Sequence, residues 1–444
     1  MKDLKKVFNS EYVKELYSQD DMYVLKTWSR KPNAPIIVGG KRVYFWDAEG
    51  RQYMDFASQL VNVNVGYCHR KLIEAIKRQA EEIPYVSGVY RSIPVIKLAK
   101  RLAELTGGVL CKSFFTCGGG AAVESAIKIA KQFTKRPKIA SMWHGYHGST
   151  FGALSATGIT NIRIPFEPLL PGFVHLPPPY CYRCSFGLEY PECEVECAHF
   201  VERVFKWEDP ETIAAFVAEP ILANSFIIPP KEYWPIVRET CSKYGILLIF
   251  DEVITAFGRT GKMFGYEHFN VVPDILVAGK GITSGYLPLG VAVVNKKIGD
   301  FFDKNPLIHG FTYASHPMCC AVGLAQIEVI LEENLVDNAA KVGAHLLARL
   351  NELESQHKCI GDVRGLGLLV GFELVKDKQT KEPCQDIAVY IREKADEKGL
   401  AVGLSTRFAP NIIRMVPPLC ITKDEVDMAI KVLDNILSEA DQKF

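Results

Sequence analysis

The chain has 444 residues, of which 48% are hydrophobic and 23% are charged. This composition is typical of a globular protein with a large core, and it excludes disordered, collagen-like and coiled-coil chains. The 52 basic and 51 acidic residues give a formal net charge of +1, so the sequence predicts no nucleic-acid partner and no anionic membrane surface as partner. Small-molecule chemistry is the expected function.

The beginning of the chain and its cysteines indicate the compartment. Met1 to Phe8 are charged and helix-patterned, without the apolar core of a secretory signal. The most apolar runs, such as residues 245–250, are far shorter than the roughly 20 residues that span a bilayer. Thirteen cysteines are an odd number and too few for a disulfide scaffold. We therefore predict a cytoplasmic protein with reduced thiols that does not span a membrane.

In chain order, the first predicted element is a hairpin over residues 42–56, because polar and apolar residues alternate on both sides of Asp47-Ala48-Glu49-Gly50. From about Leu105 to Leu307, short runs that are apolar on both faces alternate with helical patterns, which is typical of a mostly parallel sheet. The predicted strands of this region are 113–116, 138–141, 213–218, 246–250, 275–278 and 291–294.

The chain from about Pro317 has the pattern of a small α+β domain. No repeat, low-complexity tract or Gly/Ser linker divides the sequence. We predict an α/β fold with a large, doubly wound domain (66–316), a smaller α+β domain (317–444) and an N-terminal segment (1–65) that packs with the smaller domain. In the smaller domain the predicted helices are 319–331, 339–353, 387–398 and 424–437, and the predicted strand is 368–374.

Two charged residues follow apolar strands, at the edge where open α/β sheets bind ligands. Asp251 is one, although a lone aspartate there is more often a turn or cap residue. Lys280, between two glycines, is the other, and its partial burial favours the neutral amine that forms a Schiff base. A surface loop or a phosphate-binding lysine is the alternative. A P-loop is excluded, because Asp274 and Gly281 stand where that motif needs glycine and Ser or Thr.

Two further features belong to the same predicted edge. Gly118 to Gly120 lie between a strand and a helix, where backbone N–H groups can approach a phosphate; the alternative is a flexible turn. Tyr146 follows the strand near Ile139, and the alternative for it is packing. An amine, a carboxylate, an aromatic ring and a phosphate loop together are what pyridoxal phosphate requires.

The chain resembles the class III pyridoxal-phosphate aminotransferases over nearly its whole length, on three motifs at 251–261, 278–281 and 309–317. The resemblance implies the type I pyridoxal-phosphate transferase fold and a homodimer with shared active sites. It implies that Lys280 is the Schiff-base lysine and moves the proton between substrate and cofactor. It also implies that Asp251 pairs with the pyridinium nitrogen.

The same resemblance assigns the remaining cofactor and substrate contacts. Val253 and Tyr146 would contact the two faces of the ring. Gly119 and Gly120 would hold the phosphate, joined by Thr312 from the partner subunit. Arg414 would bind a substrate carboxylate; a surface ion pair is the alternative, weakened by its apolar neighbours in the sequence.

Three departures from the family pattern stand out. The phosphate loop continues with Ala121-Ala122 where the family has a hydroxyl residue and glutamate. After Glu219-Pro220, many relatives have a glutamate that neutralises the substrate-binding arginine, whereas this chain reads Ile-Leu-Ala-Asn-Ser-Phe at 221–226. Ile254 replaces the glutamine of 4-aminobutyrate and ornithine aminotransferases, which argues against those two activities.

Residues 27–29, 43–48 and 58–64 are most similar to ω-amino acid aminotransferases, among them taurine:2-oxoglutarate aminotransferases. That similarity places Leu60 in the substrate pocket. It implies a ping-pong transfer of an amino group from an ω-amino acid or amino sulfonate to a 2-oxo acid such as 2-oxoglutarate or pyruvate. Taurine is the preferred candidate for the amino donor. The sequence does not identify the hydrogen-bond donors that would bind a sulfonate group. A racemase, epimerase or aminomutase on the same scaffold is the alternative; a non-catalytic ligand sensor is disfavoured by Lys280 and Asp251.

A Pro- and Cys-rich insertion at 177–200 has no role in this scheme. Its four thiols, Cys181, Cys184, Cys193 and Cys197, have a spacing that could hold a structural zinc ion. A packed or redox-labile loop is the alternative. The sequence does not decide between them, and we predict no metal; nor does it separate a dimer from a tetramer.

Overall fold

The computed structural model describes residues 10–27, 34–405 and 409–444. The prediction for Met1 to Phe8, and the part of the 27–29 motif at Trp28 and Ser29, lie outside the described residues. Two seven-stranded sheets organise the described chain.

The first sheet has the order β4-β10-β9-β8-β7-β5-β6, and all its neighbours are parallel except β10, which runs antiparallel to β4 and β9. Every residue of β7, β8 and β9 is buried, as expected for strands covered by helices on both faces. The six predicted strands of this sheet are confirmed. Its strands are β4 (Leu110–Thr116), β5 (Lys138–Met142), β6 (Phe173–Leu176), β7 (Ile213–Ala218), β8 (Leu247–Asp251), β9 (Ile275–Ala278) and β10 (Gly290–Asn295).

The second sheet has the order β1-β2-β3-β13-β14-β12-β11. The predicted hairpin is confirmed, since β2 and β3 pair antiparallel with Tyr44 opposite Met54. The parallel pairing of β3 with β13 joins strands from both ends of the chain. The division at residues 65 and 316 stays a prediction. The strands are β1 (Ile37–Lys41), β2 (Tyr44–Asp47), β3 (Gln52–Phe56), β11 (Ile360–Leu366), β12 (Leu369–Leu374), β13 (Leu400–Ser405) and β14 (Ala409–Met415).

Helices cover both sheets. The helix that follows β4 packs on β7 to β10, and the last three long helices pack together and on the second sheet. The longer helices are α1 (Ser10–Tyr23), α2 (Arg70–Glu82), α3 (Ile93–Leu105), α4 (Gly119–Thr134), α5 (Phe151–Ala156), α6 (Glu196–Trp207), α7 (Tyr233–Tyr244), α8 (Lys296–Lys304), α9 (Pro317–Glu332), α10 (Leu335–Gln356), α11 (Gln385–Glu397) and α12 (Lys423–Lys443). One-turn α-helices lie at Ser58–Val61 and Thr160–Arg163, and 3₁₀ turns at Ile164–Phe166, Cys181–Arg183, Pro210–Thr212, Gly265–His268 and Lys280–Ile282.

Within the described ranges, no helix combines the length and apolar character needed to cross a bilayer. All thirteen cysteines are free thiols.

Candidate active site

The predicted site residues of the first sheet come together because parallel strands end at one edge. Tyr146 follows β5, Glu219 follows β7, Asp251 ends β8 and Lys280 follows β9. Strand β4 runs parallel to β5, β7, β8 and β9 and leads into the glycine loop. The edge therefore carries all the candidate groups that sequence analysis assigned to the first sheet.

Lys280 lies in a crowded turn after β9. Its φ of +40° is unusual for a residue with a side chain. A Cβ at Gly279 would lie 3.2 Å from Gly119 Cα, and one at Gly281 would lie 2.6 Å from Asn64 Nδ2, so both glycines allow the close packing. Burial lowers the pKa of the Lys280 amine, against the raising effects of Asp251 and Glu219 and with a further lowering by Arg414. The turn thus favours a neutral amine.

Asp251 is buried, with 4% of its surface exposed. Its Oδ2 lies 2.8 Å from Nδ1 of His147, and its Oδ1 accepts a hydrogen bond from the Val253 N–H at 3.1 Å. A carboxylate accepts, so we assign the imidazole proton to Nδ1. Nε2 of His147 is buried with no hydrogen-bond partner in the described chain. Sequence analysis missed His147, although it stands directly after Tyr146.

The glycine loop begins α4 and packs closely on its neighbours. A Cβ at Gly119 would lie 2.8 Å from Cγ2 of Val253, and one at Gly120 would lie 3.4 Å from Gly148 Cα. The first N–H groups of a helix have no partner within the helix. The loop therefore presents the positive end of α4 without side chains in the way, as a phosphate requires.

Glu219 is the carboxylate that sequence analysis quoted but did not assign. It is 4% exposed, and its two oxygens accept hydrogen bonds from the backbone N–H groups of Tyr146 and Ala223, both at 3.0 Å. Burial raises its pKa to about 7, His147 lowers it and Asp251 raises it. Glu219 therefore titrates near neutral pH beside the other groups of the edge.

Arg414 reaches this edge from β14 of the second sheet. Gly371 and Gly403 stand opposite it on the two neighbouring strands, and a Cβ at Gly403 would lie 2.9 Å from its Cβ. Burial lowers the pKa of the guanidinium to about 10, and Glu219 raises it. The charge of Arg414 lowers the pKa of Lys280, so the two side chains are near enough to interact electrostatically.

Asn224 is a hydrogen-bond partner of Arg414. Nη2 of Arg414 donates to Oδ1 of Asn224 at 2.9 Å. Asn224 stands within the stretch after Glu219-Pro220 where many relatives have the neutralising glutamate. Sequence analysis noted that departure, and the structure shows a neutral amide in contact with the arginine.

Leu60 and Thr312 lie outside this cluster of contacts. The Leu60 side chain is 63% exposed, in a turn where Ser58, Gln59 and Val61 have positive φ values. Thr312 is exposed, and its carbonyl accepts a hydrogen bond from Tyr85 Oη at 2.7 Å. Their assigned roles, in the substrate pocket and in the partner's phosphate site, stay predictions.

The assembled groups fit pyridoxal phosphate. Lys280 supplies an amine, Asp251 a buried carboxylate held by His147, and the glycine loop a space that a Cβ would fill. Tyr146 and Val253 follow the strands on either side of β7, and Glu219 follows β7 itself.

Comparison with known proteins agrees with this reading of the site. The family model described as aminotransferase class-III matches residues 28–437. Among solved structures, a thermostable (S)-enantioselective ω-transaminase from Thermomicrobium roseum is 40% identical, covers 96% of this chain and 98% of its own, and superposes with a TM-score of 0.91. The taurine:2-oxoglutarate aminotransferase from Bifidobacterium kashiwanohense, solved with pyridoxal phosphate and glutamate, is 35% identical over 97% and 98% of the two chains, with a TM-score of 0.92. A leucine/methionine racemase from Thermococcus litoralis is 37% identical over 93% of each chain.

The chain belongs to the class III aminotransferases, and its fold is the type I pyridoxal-phosphate transferase fold. Members of this family use pyridoxal phosphate as cofactor. The predictions of fold class, family and cofactor are confirmed.

The four cysteines of the insertion line one small cavity, beside Tyr190 and Pro230. Burial and the other three thiols raise the pKa of Cys197 to about 12, which favours its protonated form. Across the described ranges, no three or more His, Cys, Asp and Glu side chains are grouped so that they could hold a metal ion. The zinc alternative therefore gains no support from the structure.

Proposed function

We propose that this chain is an ω-amino acid aminotransferase, which moves an amino group from an ω-amino acid or amino sulfonate to 2-oxoglutarate or pyruvate. Taurine is the preferred candidate for the amino donor. The observation that carries the proposal is that buried Arg414, held by Asn224, lies close enough to Lys280 to lower the pKa of its amine. A substrate with an acid group at one end and an amine at the other would fit between a guanidinium that binds the acid group and pyridoxal phosphate, which reacts with amines, beside Lys280. The similarity to a taurine:2-oxoglutarate aminotransferase supports the choice of donor.

The chain's residues have separate tasks in this proposal. Bound pyridoxal phosphate supplies an electron sink. Lys280, whose neutral form is favoured because burial lowers the pKa of its amine, takes and returns a proton at Nζ. The Asp251 carboxylate would pair with the ring nitrogen and favour its protonated form, and the buried His147 keeps that carboxylate in place.

The shared chemistry of both substrates implies a ping-pong reaction. The amino donor and the 2-oxo acid each carry at least one acid group, and one arginine can bind both in turn because they occupy the site at different times. We further propose a homodimer in which Thr312 completes the partner's phosphate site, and a cytoplasmic location, which the thirteen free thiols support.

A racemase is the second candidate, because the chain is 37% identical to a leucine/methionine racemase. Such an enzyme uses the same proton transfer and returns the proton to the opposite face of the same carbon. Nitrogen stays on the substrate, so no oxo acid is consumed.

The test is an absorption spectrum of the purified holoenzyme, recorded with taurine, β-alanine or 4-aminobutyrate in the absence of any oxo acid. We expect a lasting loss of the cofactor's long-wavelength band with a true donor, and its return when pyruvate or 2-oxoglutarate is added. The Lys280→Ala variant should show neither change. Racemisation of leucine or methionine without a lasting spectral change would support the second candidate instead.

A further inference from the structure

We propose that Asn224 is a specificity-determining residue, whose side-chain amide binds the acid group of the substrate together with Arg414. The inference rests on the proposed function, because it assigns the acid end of an amino acid or amino sulfonate to this pair. The Asn224 amide would be one of the hydrogen-bond donors to the acid group that sequence analysis did not place.

The orientation of the Asn224 amide follows from its partner. A guanidinium only donates hydrogen bonds, so the carbonyl oxygen Oδ1 must face Arg414 and the NH₂ group must occupy the other branch of the amide. That nitrogen, Nδ2, is buried and has no hydrogen-bond partner in the described chain, and Asn224 as a whole is 5% exposed. A buried donor without an acceptor is costly, so this N–H group is available to an oxygen acceptor such as the acid group of a substrate.

The loop that carries Asn224 is held at both ends. Leu222 and Ile227 exchange backbone hydrogen bonds at 3.1 Å, which closes residues 222–227 into a tight turn. Glu219 accepts from the Ala223 N–H at 3.0 Å on one side of Asn224. On the other side, Nη2 of Arg364 donates to the Ser225 carbonyl at 2.7 Å. The amide is therefore preorganised beside the arginine.

The neutral charge of the amide has a consequence for binding. A carboxylate in contact with Arg414 would neutralise it and compete with the acid group of the substrate. Asn224 orients the guanidinium without that competition. Glu219 acts on Arg414 through its electric field, since its oxygens are engaged by the backbone N–H groups of Tyr146 and Ala223.

A carboxylate and a sulfonate share the chemistry of an anionic group of acceptor oxygens, and both fit a guanidinium and an amide donor. They differ in the number of oxygens, because a sulfonate has a third oxygen that needs a donor from a second direction. Nδ2 of Asn224 is such a donor. Loss of the amide should therefore weaken a sulfonate more than a carboxylate if amino sulfonates are the natural class.

The experiment measures equilibrium binding of unreactive acids to the holoenzyme by titration calorimetry. The ligands are ethanesulfonate and propanoate, with neutral propanamide as control. The proteins are the wild type, Asn224→Asp, Asn224→Ala and Ser225→Ala. The last is a matched control, because the hydrogen bond from Arg364 that holds the loop goes to the backbone carbonyl of Ser225. We expect Asn224→Asp to weaken both acids about tenfold or more and Asn224→Ala about threefold to tenfold, with propanamide and Ser225→Ala unaffected.

The size of the Asn224→Ala effect on each acid identifies the class: a larger loss for ethanesulfonate indicates amino sulfonates, and equal losses indicate amino carboxylates. Unchanged acid affinities in both Asn224 variants, or an equal loss for propanamide, would overturn the inference while leaving the proposed function intact. If the wild type fails to transaminate any donor but the variants lose acid affinity as expected, the proposed function is wrong and the acid site stands.

Discussion

Asp251 Oδ2 lies 2.8 Å from Nδ1 of His147, and neither side chain has more than 3% of its surface exposed. The pair joins the end of β8 to the segment after β5, two strands away across the sheet. A buried carboxylate needs such a donor, since desolvation is otherwise uncompensated. We therefore propose His147 as a positioning residue for Asp251, the carboxylate that we propose pairs with the cofactor ring.

We therefore predict that His147→Phe weakens cofactor retention and lowers kcat about tenfold to a hundredfold, because loss of a hydrogen bond to a buried charged group costs about 1–3 kcal/mol. The measurement is the rate of cofactor release, followed by absorption during dialysis, together with kcat. His357→Phe is the control, since His357 pairs with Asp434 and Asp441 elsewhere in the fold. Equal cofactor release in the two variants would contradict the positioning role.

The glycine loop gives a second prediction. Gly119→Ala places a Cβ 2.8 Å from Val253 Cγ2, so one of the two must move and the cofactor site must distort. We expect about a tenfold or greater rise in the dissociation constant of pyridoxal phosphate, measured by fluorescence titration of the apoenzyme. Gly118→Ala, whose Cβ would meet no atom within 4 Å, should have a much smaller effect. The two variants differ by one position, so the comparison isolates the contact with Val253.

Glu219 gives the pH dependence of acid binding. Its pKa of about 7, raised by burial, means that the carboxyl is mostly neutral below that pH and mostly negative above it. Protonation removes a negative charge whose field reaches Arg414, so an anion should bind more tightly as the pH falls. We expect the affinity for ethanesulfonate, which stays ionised, to rise about fivefold to tenfold from about pH 8 to about pH 6. In Glu219→Gln the profile should be flat; an unchanged slope in that variant would assign the titration to another group.

Glu252 gives a prediction on stability. It is fully buried, accepts hydrogen bonds from the Tyr266 N–H and the Thr255 hydroxyl at 2.9 Å, and burial raises its pKa to about 7 from 4.5. A raised pKa means that the folded state holds this proton more tightly than the unfolded state, so the stabilisation is complete below about pH 4.5 and is lost as the pH rises to about 7.

Glu252→Gln removes this titration. The free energy of unfolding of the variant, relative to the wild type, should therefore rise by about 2–3 kcal/mol between about pH 5 and about pH 8, whatever its absolute value. Urea unfolding at several pH values measures it. A difference that does not change with pH would show that Glu252 titrates alike in the folded and unfolded states.

Six strands of the first sheet were predictable because they are apolar and several of them end in distinctive residues. Lys280 and Asp251 were found in this way, from the sequence next to each strand. β6 and β14 escaped prediction because they are short or interrupted by polar residues, as His175 and Asn411 show. The contact between Asn224 and Arg414 joins residues 190 positions apart, and no local pattern carries such information.

Glu373 connects the Cys-rich insertion to the 222–227 turn that carries Asn224. Its Oε1 accepts from Nε of Arg183 and its Oε2 from Tyr180 Oη, both at 2.5 Å, while Arg364 donates to Oε2 at 2.9 Å and also holds the Ser225 carbonyl. The insertion is thus a buttress for the turn that presents Asn224. Grafting the 221–226 turn of this enzyme onto a relative without the insertion would transfer the residues of the acid site but not the contacts that hold them in place. Exchanges of specificity between relatives should therefore succeed only when the turn and the insertion are transferred together.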